Sequence, residues 1–375
     1  MSVFNDAIKN FLSPIEDLLS DDTISEIMIN GPYEIFIERG GKIIRTDYRF
    51  QNNENLMSAM RAIAQAVGKK FDSDDPRLDA NLPDGSRIAA VLSPISTNGT
   101  AVSIRKFFKE RVLLKDLIAW GAISKDAARF LDICIYLGKN MLVSGGTGSG
   151  KTTLLNILAS RISNNERIII IEDTKEMKLE DQHVVHMITR KEDPAQNIKA
   201  ISTQDLLHSA MRLRPDRIIV GEVRSGEALD LVNAMNTGHD GSMGTVHANN
   251  PDEACLRLET LCLQSGTKIP PNSLKLMIAN ALQVVVQTKR FSDGKRRVSH
   301  VSEVLGINED GSYRLKHIFE WTQRSKNDET GELIGELAPC QYLPTFFDQI
   351  KVNKLPFPSS KFERPDWVKK LKKVA

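Results

Sequence analysis

Apolar and polar positions change their period partway along this chain, and the change divides it into two regions. In the first region, Phe4, Ile8, Phe11, Leu12 and Ile15 share one side of a helix over residues 1–20, which Pro14 interrupts. Short alternating runs follow at 26–30, 34–39 and 42–45, separated by Asn30-Gly31-Pro32 and Gly40-Gly41. Leu56, Met60, Ile63, Ala64 and Val67 return to helical spacing, and Gly68 ends that helix. Residues 87–92 and 101–106 read as two more strands, the first entered through Pro83-Asp84-Gly85. Together these elements predict an α+β domain over residues 1–110.

A linker is expected at 111–124, with the basic run 106–111 at its entrance. Ser124 then caps a helix running to Leu137. From Met141 the pattern alternates strand with helix. Strands are expected at 141–144, 168–172, 184–189, 217–221 and 243–247, and helices at 151–162, 202–213, 226–236, 251–264 and 272–281. Such alternation predicts a mostly parallel sheet covered by helices. Two helix starts are well marked: Ser202 with Asp205, and Asn250-Pro251 with Glu253. Strands at 283–289 and 296–304 flank the turn Asp293-Gly294. The whole span 125–375 is read as one α/β domain with a C-terminal extension.

Composition narrows the classes. Lys and Arg number 50 against 48 Asp and Glu, a net charge of +2. The isoelectric point of 8.2 falls short of the roughly 9 expected of a dedicated nucleic-acid binder. No apolar run approaches the ~18 residues of a membrane span. The start of the chain carries Asp6, Glu16 and Asp17 and lacks the pattern of a signal peptide. Cys134, Cys255, Cys262 and Cys340 form no C-x-x-C pair and are expected as reduced thiols.

The chemistry concentrates at Gly145-Gly146-Thr147-Gly148-Ser149-Gly150-Lys151-Thr152-Thr153, between an apolar strand and the run Leu154-Leu155-Asn156-Ile157-Leu158. This is the G-x-x-x-x-G-K-[ST] pattern. Glycines let the backbone approach phosphate oxygens, and the helix start adds N–H donors and positive potential. In this pattern Lys151 serves the β- and γ-phosphates of a nucleotide and Thr152 serves Mg²⁺.

Three further groups follow apolar strands. They are Glu172-Asp173, Glu222 and His247. If the strands are parallel, all fall on the phosphate-loop edge of the sheet, where ligands of open α/β sheets bind. Glu222 fits a carboxylate that organises Mg²⁺ through water or accepts a proton from attacking water. His239, between glycines at 238 and 241, is a weaker candidate for a loop near phosphate. Arginines that could meet phosphoryl charge are Arg212, Arg214 and Arg224, with Arg87 and Arg105 in the first domain. Trp367, Leu371 and Val374 could share one face of a basic C-terminal helix.

The stretches "DPRLDANLPDGSRIAAVLSPIS", "SIRKF", "LVSGGTGSGKTTLLN", "IIIIEDTKEM", "DGKRRVSHVSEV" and the long run over 210–261 give the chain a family likeness. It resembles the type II/type IV secretion ATPases, and within them the CpaF-type assembly ATPases of Tad (Flp) pili. The resemblance implies an N-terminal domain joined to a RecA-like P-loop ATPase domain, six chains closing into a ring, and ATP with Mg²⁺ as cofactors. It implies a cytoplasmic motor at the inner membrane, acting on pilus platform proteins. Lys151 and Thr152 then belong to Walker A, Glu222 to Walker B, Glu172 to the Asp box and His247 to the His box. Arg87 and Arg105 match first-domain arginines that reach phosphates in related rings, and Arg224 matches the arginine after the Walker B acid.

The chain departs from the pattern in three places, one of them a helical extension before the first domain that is shorter here than in many CpaF-type proteins. The loop 191–199 lacks an expected glycine, and the tetracysteine module of type II secretion ATPases is absent. A related type IV secretion ATPase or a nucleic-acid translocase is the alternative reading. Near-neutral charge and sparse aromatic–basic interleaving argue against the translocase. A small-molecule kinase is disfavoured because the sequence shows neither an acceptor pocket nor a lid.

Overall fold

The computed structural model describes residues 11–82, 85–106, 112–179, 182–192 and 198–371. The first half of the N-terminal helix, the turn at 83–84, most of the basic run, the middle of the 191–199 loop and the last four residues lie outside it. The chain divides into two compact units, Met1–Arg111 and Val112–Ala375.

The first unit is built on six antiparallel strands: β1 (Ile24–Asn30), β2 (Ile35–Arg39), β3 (Lys42–Arg45), β4 (Arg77–Asn81), β5 (Arg87–Val91) and β6 (Ala101–Arg105). Their order is β3-β2-β1-β6-β5-β4. Alternation puts Ile27, Ile29, Ile35, Ile37, Ile88 and Ile104 on the face that shares a core with Leu56, Met60 and Ile63 of the helix Asn53–Ala66. Asn52 caps that helix, accepting from the Asn55 N–H at 2.9 Å.

The second unit carries a nine-stranded sheet. Its strands are β7 (Met141–Gly145), β8 (Arg167–Glu172), β9 (His183–Ile188), β10 (Arg217–Val220), β11 (Met243–Val246), β12 (Val284–Arg290), β13 (Arg296–Ile307), β14 (Tyr313–Lys326) and β15 (Leu333–Pro339). The order is β15-β14-β13-β12-β7-β11-β10-β8-β9. From β12 to β9 every neighbouring pair is parallel, whereas β13, β14 and β15 extend the sheet antiparallel.

The parallel strands read as unbroken apolar runs because both faces are covered. Successive side chains sort into two cores. Ile168 and Ile170 of β8, with Met141 and Val143 of β7, face the layer of helices Lys125–Tyr136 and Lys151–Ala159. Ile169, Ile171 and Leu142 face the layer of Glu227–Asn236, Pro251–Leu263 and Pro271–Ala281. The four isoleucines of β8 are 0% exposed, and each contributes roughly 1.5–3 kcal/mol by burial.

The segment expected as a linker is not connector throughout. Leu114–Ala119 is helical, and Leu114, Leu117 and Ile118 pack against the second unit's core. The C-terminal expectation also changes. Trp367 is held by a 3.0 Å hydrogen bond from its indole N–H to Glu336 on β15, and Arg324 stacks on its ring. That side chain is committed to the sheet edge rather than to an open helical face. No helix among the described residues is long and apolar enough to cross a membrane.

Candidate functional site

The parallel registers bring four strand ends to one edge. Ser144 of β7 pairs with Val246 of β11, Gly244 with Val220 of β10, and Val220 with Ile171 of β8. The loop after β7, Glu172, Glu222 and His247 therefore leave the sheet on the same side.

The phosphate loop is held from beneath by β12. Thr288, the partner of Gly145 across the β12–β7 ladder, places Oγ1 3.0 Å from the Ser144 carbonyl and 2.8 Å from Ser149 Oγ. A Cβ on Gly145 would stand 2.3 Å from Thr288 Oγ1, so only glycine fits. Gly146 and Gly148 meet nothing within 4 Å on their open side. Gly150 takes φ of +96° as it enters the helix Lys151–Ala159, leaving the first N–H groups of that helix without a capping side chain. An anion fits this cradle of helix-start N–H groups and open glycines. Thr152, half-buried in the first turn, stands where a metal-bound hydroxyl would be needed.

Lys151 is 8% exposed, and its ammonium donates to the Gly146 carbonyl at 3.0 Å. The same Nζ lies 3.3 Å from Nδ1 of His247. His247 Nε2 in turn lies 2.7 Å from Oε1 of Glu222. One tautomer satisfies the row: Lys151 donates to Nδ1 and the Nε2–H donates to the carboxylate. Burial, then the Lys151 charge, holds the imidazole below its ordinary pKa, which favours that neutral form.

Glu222 is fixed by its neighbours' backbones. The Gly221 N–H donates to the Ile171 carbonyl at 2.8 Å, and the Val223 N–H to the Thr245 carbonyl at 2.9 Å. Burial alone would raise the Glu222 carboxyl, but the Arg224 hydrogen bond and charge, with His247 and Lys151, bring it below the usual value. Arg224 also donates to Asp173 at 2.8 Å, so one guanidinium joins the ends of β8 and β10.

Glu172 is buried at 5% exposure, not solvated. It accepts from the Glu176 and Met177 N–H groups at 3.2 and 3.1 Å and stands 3.9 Å from His186 Nδ1. Burial outweighs those two donors and pushes its carboxyl up to about 7. Gly221 passes directly against it: a Cβ there would lie 2.9 Å from Glu172 Cγ. Glu172 thus lies behind the backbone that presents Glu222.

Other expectations land elsewhere. His239 precedes β11 and contacts the Ala234 carbonyl at 3.3 Å, so it belongs to the opposite, amino-end edge of the sheet. Arg87 and Arg105 belong to the first unit, where they are direct register partners on β5 and β6. Arg212 and Arg214 are exposed beyond the helix Thr203–Ala210. Two contributors escaped sequence reading, Thr288 and Ser149's bond to it. Only the placement of β12 beside β7 reveals them.

Residues 9–314 match the family described as Type II/IV secretion system protein. A putative conjugal transfer protein of Mycobacterium tuberculosis is 33% identical over 326 residues, covering 85% of this chain and 91% of the relative. The type IV secretion system protein VirB11 of Bartonella henselae is 31% identical over 328 residues, covering 77% and 91%. The X-ray structure of the Yersinia pseudotuberculosis ATPase DotB shares the fold, with a TM-score of 0.55, 16% identity and 80% coverage of each chain. With four-fifths of its length inside the matched span, this chain belongs to the type II/IV secretion system protein family.

Proposed function

We propose that this chain is an ATP-hydrolysing motor of a type IV secretion or pilus machine, and more narrowly a CpaF-type motor of Tad (Flp) pilus assembly. The observation that carries the reading is the row Lys151–His247–Glu222 set beside an open glycine loop. Gly145 to Gly150 and the helix start bind the nucleotide's phosphates. Thr152 and Glu222 would hold Mg²⁺, which when bound neutralises phosphoryl charge. Glu222 receives the proton of the attacking water, directly or through an ordered water. His247 keeps that carboxylate oriented and links it to the lysine that touches the terminal phosphates. Arg224 holds Glu222 ionised. Glu172, near neutral pKa, is an added proton store behind the same strand end.

The narrower reading rests on the sequence stretches shared with Tad motors. The broader type IV secretion reading is favoured by the named relatives. In either, residues 1–110 form a domain joined to an ATPase domain that takes in the helix Leu114–Ala119. Six copies close into a ring on the cytoplasmic face of the inner membrane, with Arg87 and Arg105 directed at bound phosphates. The catalytic claim is tested by phosphate release from ATP, with and without DNA; strong stimulation by DNA would favour a translocase. The cellular claim is tested by removing the chain from its host. Loss of surface pili supports the Tad reading, whereas intact pili with lost export supports secretion.

A further inference from the structure

Thr288 holds the phosphate loop, and the residue before it on β12 points to the opposite face of the sheet. Gln287 is 1% exposed, and its amide Nε2 donates to the Ala248 carbonyl at 3.0 Å. A second contact of the same nitrogen, to the Thr288 carbonyl, is longer at 3.5 Å. The amide faces Ala248 this way round because the reverse would set oxygen against oxygen. Its Oε1 meets no hydrogen-bond partner among the described residues, so the bond to Ala248 is the side chain's main commitment. The backbone beneath is held from both sides. Gln287 pairs with Ser144 of β7, and its carbonyl accepts from the Ser299 hydroxyl of β13 at 3.3 Å.

Ala248 matters because of the residue before it. β11 ends at Val246, His247 follows, and the helix Pro251–Leu263 starts three residues past Ala248. His247 and Asn249 are exposed, whereas Ala248 between them is half-buried against the core beneath. On the helix side this short span is tied by Asn249 to Glu253 at 2.8 Å. On the sheet side its side-chain tether is Gln287.

Resting on the reading above, in which His247 orients Glu222, we propose that Gln287 is a positioning residue for hydrolysis. Through the Ala248 carbonyl it holds His247 at its working distance from Lys151 and Glu222. Consecutive residues of β12 then serve the two halves of the site: Thr288 fixes the loop that binds phosphates, and Gln287 fixes the histidine that sets the carboxylate. The two duties are separable. Loss of the amide leaves the bonds of Thr288 to the loop in place, so phosphate binding persists while the row Lys151–His247–Glu222 slackens. A misplacement on the order of 1 Å in such a row costs up to about a hundredfold in rate.

The experiment compares the full-length chain with Gln287→Met, which keeps the volume and removes the donor. It measures affinity for ADP, steady-state hydrolysis of ATP, and the imidazole NMR signals of histidine-labelled protein, the His247 signal being the one that His247→Ala lacks. Gln287→Met is expected to bind ADP within about threefold of wild type, to lose about tenfold or more in kcat, and to shift the His247 signal. In the His247→Ala background the same substitution should cost no further rate, because both changes remove one arrangement. A kcat within about twofold of wild type, or an unmoved His247 signal, overturns the assignment. So does a rate loss that multiplies in the double variant, or a loss of ADP affinity as large as the loss of rate. If Gln287→Met does not fold, Gln287→Asn, which withdraws the amide by one methylene, carries the same comparison. A wild-type chain that neither binds ADP nor releases phosphate rejects the motor reading itself, and the His247 signal tells that outcome apart from failure of the Gln287 assignment.

Discussion

His247 sets its Nε2 2.7 Å from Oε1 of Glu222, so residues just beyond the ends of two neighbouring parallel strands share one hydrogen bond. In the proposed reaction, the carboxylate that this bond orients is the one that receives the proton of the attacking water. Glu222→Gln keeps the shape but loses the acceptor charge. It is expected to retain ADP and ATP binding within a few-fold, while phosphate release drops roughly 10²-fold or more. Turnover at the wild-type rate would remove Glu222 from the reaction.

Arg224 bonds to the other oxygen of the same carboxylate and holds it below its ordinary pKa. Activity that needs ionised Glu222 is present above that pKa and fades as pH falls through it. Arg224→Gln removes the hydrogen bond and the charge, so the carboxyl pKa rises. The acidic limb of the pH–rate profile should move to higher pH. A limb that stays in place would mean that Glu222 is not the group titrating there.

Glu172 predicts a stability trend of opposite sign. Its carboxyl sits at about 7 in the folded chain against the ordinary value of 4.5 for an open one. Between those values the folded state holds a proton that the unfolded state has released. The stability tied to this proton is whole below the lower value and declines as pH rises to the upper one, by on the order of 3 kcal/mol. Glu172→Gln abolishes the trend while its amide oxygen can still accept from Glu176 and Met177. Melting temperatures at pH 5 and pH 8 check this: the variant should gain on the wild type at the higher pH.

Thr288 and Gly145 form a close contact with no slack. Gly145→Ala would drive its methyl into Thr288 Oγ1 and Ser149 Oγ, 2.3 and 2.4 Å from the built Cβ. A cost of about 1–3 kcal/mol is expected, together with weaker nucleotide binding. The double variant Gly145→Ala with Thr288→Ala opens that space and should recover part of the melting temperature. No recovery would show that the backbone of the loop, rather than Thr288, sets the limit.

Much of this arrangement could be read from the residues. The β8 run of four isoleucines and the apolar β10 announce buried parallel strands; Glu172 ends the first and Glu222 follows the second by two residues, so both were legible. The fate of Glu172 was not. Its burial depends on the chain turning back at Glu176 and Met177, which no local pattern marks. β4 escaped because only Leu78 and Ala80 of Arg77–Asn81 are buried, too little apolar signal in five residues. β14 does alternate from Tyr313, but bulges opposite Ser302 and near Ser325 break its period. Thr288 was silent for a topological reason. β12 joins β7 out of chain order, and only that pairing makes it a neighbour of the phosphate loop.

The same pairing has a mechanical consequence. β12 is hydrogen-bonded to the phosphate loop's own strand on one side and to the long antiparallel apron β13–β15 on the other. A pull applied at the apron along the strand direction shears whole ladders of bonds together instead of unzipping them one at a time. The apron and the glycine loop are thereby coupled stiffly, so a change at one rim of the sheet reaches the other with little give between them.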